Sequence, residues 1–167
     1  MEISISTMNS LIETKEVQEA WEISLKTLGR LSQEGRLKVG LENSLVKFYW
    51  ICLKLIFKQN DFNEREVAGC KRIIDDLNSI ANQTNSEEAY NTLIWSASIL
   101  SDEWKCKDLQ IYIFDSIITK LQFNKTLNPL FIEASASYAN LMIESKDFGK
   151  ANKIIENAFP FCEAGSD

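Results

Sequence analysis

Asp108-Leu-Gln-Ile-Tyr-Ile-Phe-Asp-Ser-Ile-Ile-Thr-Lys-Leu-Gln-Phe123 is the stretch on which the fold class turns. Its middle, Ile111-Tyr112-Ile113-Phe114, has the β-branched and aromatic character of a short buried strand. Over the full length, however, Leu109, Ile113, Ile117 and Leu121 recur at four-residue steps, which is one face of a helix. A lone strand would leave its backbone N–H and C=O groups without partners, and no other stretch offers it a second strand. The spacing therefore predicts a helix over 108–123, and with it an all-α chain.

The same periodicity extends in both directions. Upstream, Tyr90, Leu93, Ala97, Leu100 and Trp104 predict a helix over 86–104, begun by Asn85 and Glu88 after a loop at Asn82-Gln-Thr-Asn85. Val67, Cys70, Ile74, Leu77 and Ala81 predict another, begun by the capping pair Asn63 and Glu66, in which each side chain satisfies the other's free backbone N–H. From Leu45 to Phe57 eleven of thirteen residues are apolar, and the two exceptions, Lys47 and Lys54, lie seven apart on one face. A helix of that kind, over 43–58, is wrapped by neighbours on its other sides. Its aromatic stripe of Phe48, Tyr49, Trp50 and Phe57 reads as core rather than as a cofactor box. A first helix follows the capping box Ser10–Glu13, with Val17, Trp21, Leu25, Leu28 and Leu31 inward, up to the break at Gly35 and Gly40.

Downstream, Asn128-Pro129 reads as an N-cap followed by a first-turn proline, whose missing N–H costs nothing there. Leu130, Ala134, Ser137, Tyr138 and Leu141 form the inner face of that helix. Asp147 caps a last one that ends at Pro160, with Phe148, Ala151, Ile155 and Ala158 inward. The expectation is about seven antiparallel helices joined by short turns and stacked as hairpins. They would form a single domain over 1–167, or the N-terminal part of a longer solenoid.

Composition narrows the function. The 167 residues are 45% hydrophobic and 25% charged, with 6 Gly and 2 Pro, too few for a turn-rich β-sandwich or a disordered chain. There is no histidine, which removes the commonest general base, the Ser/His and Cys/His nucleophile systems and the usual zinc ligand. The six glycines are isolated, so no phosphate-binding loop is present. Asp75-Asp76, Glu87-Glu88 and Asp102-Glu103 are adjacent carboxylates, and neighbours on a helix point about 100° apart, so none is an acid/base pair by itself. Cys52, Cys70, Cys106 and Cys162 never approach CxxC spacing, whereas metal chemistry wants clustered ligands. The expectation is a non-enzyme with no cofactor and no metal.

Eighteen Lys and Arg against 24 Asp and Glu give a net charge of −6, which repels a phosphate backbone and leaves a nucleic-acid-binding repeat as the weaker alternative. One basic edge exists over 26–58, where Lys26, Arg30, Arg36, Lys38, Lys47, Lys54 and Lys58 face only Glu34 and Glu42. It is either a solvated edge balancing acidic neighbours or a patch for an acidic partner. The longest apolar run, 45–57, is too short and too interrupted by lysine to span a membrane. The start, MEISISTMNSLIETKE, has no basic residue ahead of an apolar core, so no signal peptide is expected. Asn82-Gln-Thr84 and Asn124-Lys-Thr126 then read as ordinary loop residues rather than glycan acceptors. The expected setting is the reducing cytoplasm, with the nucleus left open.

Asp61-Phe62 and Asp147-Phe148 stand 86 residues apart, each followed by a Lys near an Ile-Ile pair, Lys71 with Ile73-Ile74 and Lys153 with Ile154-Ile155. With one hairpin between them the period is 43, and three pairs result, 43–81, 86–123 and 129–159. The last pair, from Tyr138-Ala139 through Asp147-Phe148 to Ala151 and Ala158, resembles a tetratricopeptide repeat, clearest over 129–160. It has small residues where that repeat's helices touch most closely, at about 8–10 Å between axes. In 86–123 Ala97 and Ser116 keep the small-residue pattern and Leu109 departs from it, while 43–81 needs an insertion. The helices also exceed the repeat's roughly 34 residues per pair, so the resemblance is to a divergent tetratricopeptide-like or HEAT-like α-solenoid.

What this resemblance implies is protein–protein binding, since in the family the first helix of each pair lines a concave groove that holds a peptide or a partner helix. Carried over to the last pair, the groove positions are Glu133, Ala136, Asn140, Ile143 and Glu144. Asn140 occupies a slot that chaperone-binding members fill with Asn to grip a terminal carboxylate. Those members surround it with Lys or Arg, whereas here Ala136 and Glu144 stand nearby. The implied partner is a basic or hydrophobic segment instead; the simpler alternative is that Asn140 and Glu144 are merely exposed polar residues. A separate expectation concerns Ala158-Phe-Pro-Phe-Cys162. Either Phe159 and Phe161 fold back on the last hairpin, or they leave an apolar edge for a second copy of the chain or for a dedicated partner in a larger complex.

Overall fold

The computed structural model describes residues 42–57, 64–103 and 106–163, together with Ser10, Ile23 and Thr27; for 65, 66, 101–103 and 163 it describes the backbone alone. The expected first helix and the basic residues Lys26, Arg30, Arg36, Lys38 and Lys58 therefore lie outside the described residues, as do Trp104 and the Asn63–Glu66 capping pair. Ser10, Ile23 and Thr27 are themselves helical, and Thr27 Oγ1 donates to the Ile23 carbonyl at 2.9 Å.

The described residues form six α-helices and one 3₁₀ turn: α1 (Glu42–Phe57), α2 (Glu64–Thr84), α3 (Glu87–Glu103), α4 (Lys107–Gln122), the turn Lys125–Leu127, α5 (Asn128–Glu144) and α6 (Phe148–Glu163). No strand occurs among them. The ambiguous Ile111–Phe114 run lies within α4, whose Leu109, Ile113, Ile117 and Leu121 are fully buried on one face. The helices pack as two compact units, residues 1–92 and 93–167, with the boundary inside α3. No described helix is long and apolar enough to cross a membrane.

In the first unit α1 buries ten residues, among them Phe48, Leu53, Leu55, Ile56 and Phe57. Each such side chain removed from water is worth about 1.5–3 kcal/mol relative to exposure. The polar stripe is as narrow as the lysine spacing predicts: Lys47 is exposed, and Lys54 places its Nζ 5.1 Å above the Trp50 ring. α2 packs on α1, and its Cys70, Ile74, Leu77 and Ala81 are all fully buried. Across this hairpin Tyr49 OH donates to Asp76 Oδ2 at 3.1 Å in a buried setting.

The α2–α3 turn corrects one expectation. α2 continues through Thr84, so Asn82 is helical rather than a loop residue, and its Oδ1 accepts from Tyr90 OH at 3.0 Å. Asn85 then adopts φ 51°, the left-handed conformation that asparagine tolerates. Because Asn85 ends α2, capping of α3 passes one residue on, to Ser86, whose Oγ accepts from Ala89 N–H at 3.2 Å.

In the second unit α5 packs on both α4 and α6, most extensively on α6. Ala139, Ala151 and Ala158, the small residues of the last hairpin, are all buried. On its other side α5 stacks Tyr138 on Phe114 of α4, with ring centres 5.1 Å apart and planes 17° from parallel. Asn128 is not the N-cap expected of it: its φ and ψ are already helical and its Oδ1 is enclosed without a partner. The capping role falls to Asn124, whose side chain accepts from Thr126 N–H and starts the 3₁₀ turn that runs into α5.

The α5–α6 turn repeats the device of the α2–α3 turn. Lys146, at φ 62°, ends α5; its N–H bonds the Ile143 carbonyl and that of Asp147 bonds Met142, each at 2.9 Å. Asp147 then caps α6 as expected, Oδ1 accepting from Lys150 N–H at 3.0 Å. Two further corrections concern α6. It runs through Pro160 to Glu163; Pro160 leaves the Glu156 carbonyl without its helical donor, and both residues are exposed, so water meets that carbonyl. Phe148 (59% exposed) and Ile155 (47%) face outward, and Ile154 is the residue turned in with Ala151 and Ala158.

Candidate partner-binding surface

α5 buries two faces, since it serves two neighbours. Leu130, Phe131, Ala134, Tyr138, Leu141 and Met142 are taken up by packing, which leaves one strip of the helix to solvent. Glu133, Ala136, Asn140, Ile143 and Glu144 all lie on that strip and all are exposed. They do not gather around one recess. Asn140 and Glu144 border a polar cleft, Ala136 borders a separate apolar one, and Glu133 and Ile143 line neither.

The polar cleft has a volume of about 250 Å³ and lies among α3, α4 and α5. Its floor is Ala97, Gln110, Phe114 and Leu141, all buried. Its rim is polar, made by Ser98, Ser137, Asn140 and Glu144. Gln110 is 3% exposed, and its Nε2 donates to the Ala97 carbonyl at 2.9 Å. Nothing in the sequence singled out this glutamine. The available signal was a carboxamide beside Leu109 in an apolar helix, where a buried polar group needs a partner.

Behind the strip, Tyr138 OH donates to Asp115 Oδ1, and the same carboxylate receives Lys150 Nζ at 3.2 Å. The Lys150 ammonium also sits 4.9 Å above the Tyr138 ring. Burial first, and then the hydrogen bond to Asp115, hold the Tyr138 phenol far above its ordinary 10.0, so it stays a donor. This cluster ties α4, α5 and α6 together, and its role is positional.

The apolar cleft, of about 160 Å³, is lined by Ile132, Ala136, Ile155, Ala158 and Phe159, together with the buried Ser135 and the exposed Cys162. The two terminal phenylalanines have parted company. Phe161 folds back and meets Phe131 edge-on at 4.9 Å, whereas Phe159 is 59% exposed. Cys52 and Cys70 are buried, Cys106 is half-buried and Cys162 is exposed. Among the described residues no three Cys, Asp or Glu side chains gather as a metal ion would require. No protein-family model, curated protein or solved structure matches the chain.

Proposed function

We propose that the chain is a non-enzymatic protein–protein interaction module, an adaptor or scaffold of the tetratricopeptide-like or HEAT-like kind, whose α5 strip holds a peptide or helix of a partner. The observation that carries this reading is the makeup of the strip. Asn140 and Glu144 make no hydrogen bond or ion pair among the described residues, and Ile143, 44% exposed, stands beside them. Unengaged polar groups fix a partner's register, and an apolar neighbour supplies burial. The acidity of the strip, with Glu133 and Glu144 and no lysine or arginine anywhere in α5, suits a basic or hydrophobic segment.

The test is affinity purification from the native cell with the triple variant Glu133→Lys, Asn140→Lys, Glu144→Lys. All three positions are exposed, so the melting temperature should hold within a degree or two. A partner present with wild type and lost from the variant is the expected result. Retention of every partner would remove the α5 strip as the interface.

A second reading has its own observation, the exposed Phe159 beside the apolar cleft. In that reading the chain is a structural subunit that assembles through the end of α6, with a second copy or a dedicated partner covering the patch. Phe159→Asp would then change the sedimentation coefficient or abolish co-assembly while leaving the monomer folded.

A further inference from the structure

We infer that the polar cleft is an arginine pocket that takes the guanidinium of a partner polypeptide. The inference rests on the α5 strip being the partner-binding surface and names the side chain that it recognises.

Gln110 is the starting point. A carboxamide buried to this depth loses its water and must be repaid by hydrogen bonds. Only its donor end is engaged, by the Ala97 carbonyl, and that bond fixes which end is nitrogen. Oε1 therefore faces away from Ala97 and makes no hydrogen bond among the described residues. Among the described residues the enclosed unpartnered side-chain atoms are Asn128 Oδ1 and Ser135 Oγ, so Gln110 Oε1 reaches the open space of the cleft. A pinned acceptor thus stands at the floor, awaiting a donor.

The surroundings define that donor. Among the described residues that line the cleft, Glu144 is the one charged side chain and none is a lysine or arginine. Ser98 spends its hydroxyl hydrogen on the Ile94 carbonyl at 3.2 Å, which leaves its lone pairs as acceptors. Asn140 and Ser137 add further oxygens, neither of them engaged. Leu141 and Phe114 keep the floor apolar between these groups. Dispersed acceptors with one negative charge over an apolar base match a side chain with an aliphatic stem and a planar, multiply donating cation. Lysine brings one point charge and meets fewer of the separated acceptors. A carboxylate would meet Glu144 and Gln110 Oε1, both repulsive to it.

The experiment is an NMR titration of the whole chain with Nα-acetyl-arginine amide, following the side-chain amide signals of Gln110 and Asn140. The lysine, glutamine and glutamate analogues serve as comparisons. Saturable shifts with a roughly millimolar midpoint are expected for the arginine amide, weaker ones for lysine and none for glutamine or glutamate. Glu144→Gln should weaken the arginine titration about tenfold, and Glu156→Gln, an exposed carboxylate of α6 outside the cleft and off the strip, should leave it unchanged. Free arginine, whose carboxylate approaches Glu144, should bind less well than the blocked amide; the opposite order would assign a small-molecule site and overturn the peptide source. Unmoved Gln110 signals, shifts of equal size with the glutamine amide, or a Glu144→Gln titration equal to wild type would each overturn the inference. Partner capture by the triple variant separates the two layers. A partner lost there while the arginine amide leaves Gln110 unmoved removes the pocket and keeps the α5 interface. An intact arginine titration with every partner retained keeps the pocket and removes the strip as the partner's main interface.

Discussion

The hairpins α1–α2 and α5–α6 have the same local architecture but use their surfaces in opposite ways. α1 gives ten of its sixteen residues to the core and keeps only Asn43 and Lys47 fully exposed. α6 meets α5 through Ala151, Ile154 and Ala158 and through Phe161 against Phe131, while the large apolar residues Phe148, Ile155 and Phe159 are left outside. The first hairpin buries large side chains along most of α1, whereas the last adds a seam of buried alanines at which its helices can come close. A helix surrounded on nearly all sides cannot offer a surface, whereas one docked through a narrow seam retains faces for recognition. The candidate clefts both lie in the second unit, where α5 is shared between two neighbours and still keeps a free strip.

Substitutions can break that contrast, beginning with the largest effect. Leu53→Ala in α1 removes a fully buried side chain from a site wrapped on most sides, and should cost about 3–4 kcal/mol in a denaturant titration. The parallel change Ile155→Ala in α6 should fall within about 0.5 kcal/mol, because that residue is already half outside. Equal losses would show that the two hairpins are stabilised alike. Next comes Ala151→Leu, which overfills the alanine seam and should cost about 1–3 kcal/mol. A neutral result would mean that close approach is not what holds α6.

The two tyrosine–carboxylate pairs sharpen the comparison further. Tyr49→Phe takes a hydrogen bond from a carboxylate that is itself buried, and should cost about 1.5–3 kcal/mol. Tyr138→Phe leaves Asp115 largely in water and still paired with Lys150, so about 0.5–1 kcal/mol is expected. The pH dependence gives a second readout for Tyr138. With the folded phenol of Tyr138 held above its ordinary 10.0, the native state keeps a proton that the unfolded chain releases. Stability is thus full below pH 10 and falls as pH rises past it, and Tyr138→Phe should flatten that fall by up to one proton's worth of slope. An unchanged slope would mean that the phenol is not protected. The smallest expected change is favourable: Lys146→Gly removes the left-handed strain at the α5 terminus and should stabilise by about 0.5–1 kcal/mol.

Residue order by itself determined where the six described helices lie, because a face repeated every three or four residues is a local property that survives without knowing any neighbour. The helix at Ile111–Phe114 followed from the same local logic once no partner strand was available. Asp147 as a cap, the lysine stripe of α1 and the exposure of Glu133, Ala136, Asn140, Ile143 and Glu144 were legible for that reason too. Only tertiary packing decided the rest. Ile154 and Ile155 satisfy the spacing from Ala151 to Ala158 equally well, and contact with α5 chose which one turned inward. The capping roles moved from Asn85 to Ser86 and from Asn128 to Asn124, because a left-handed residue and a 3₁₀ turn reset the register by amounts that no pattern encodes. Gln110 faces the polar cleft because α3 presents the Ala97 carbonyl to it from thirteen residues away, and a partner at that separation is set by how helices pack rather than by how one helix repeats.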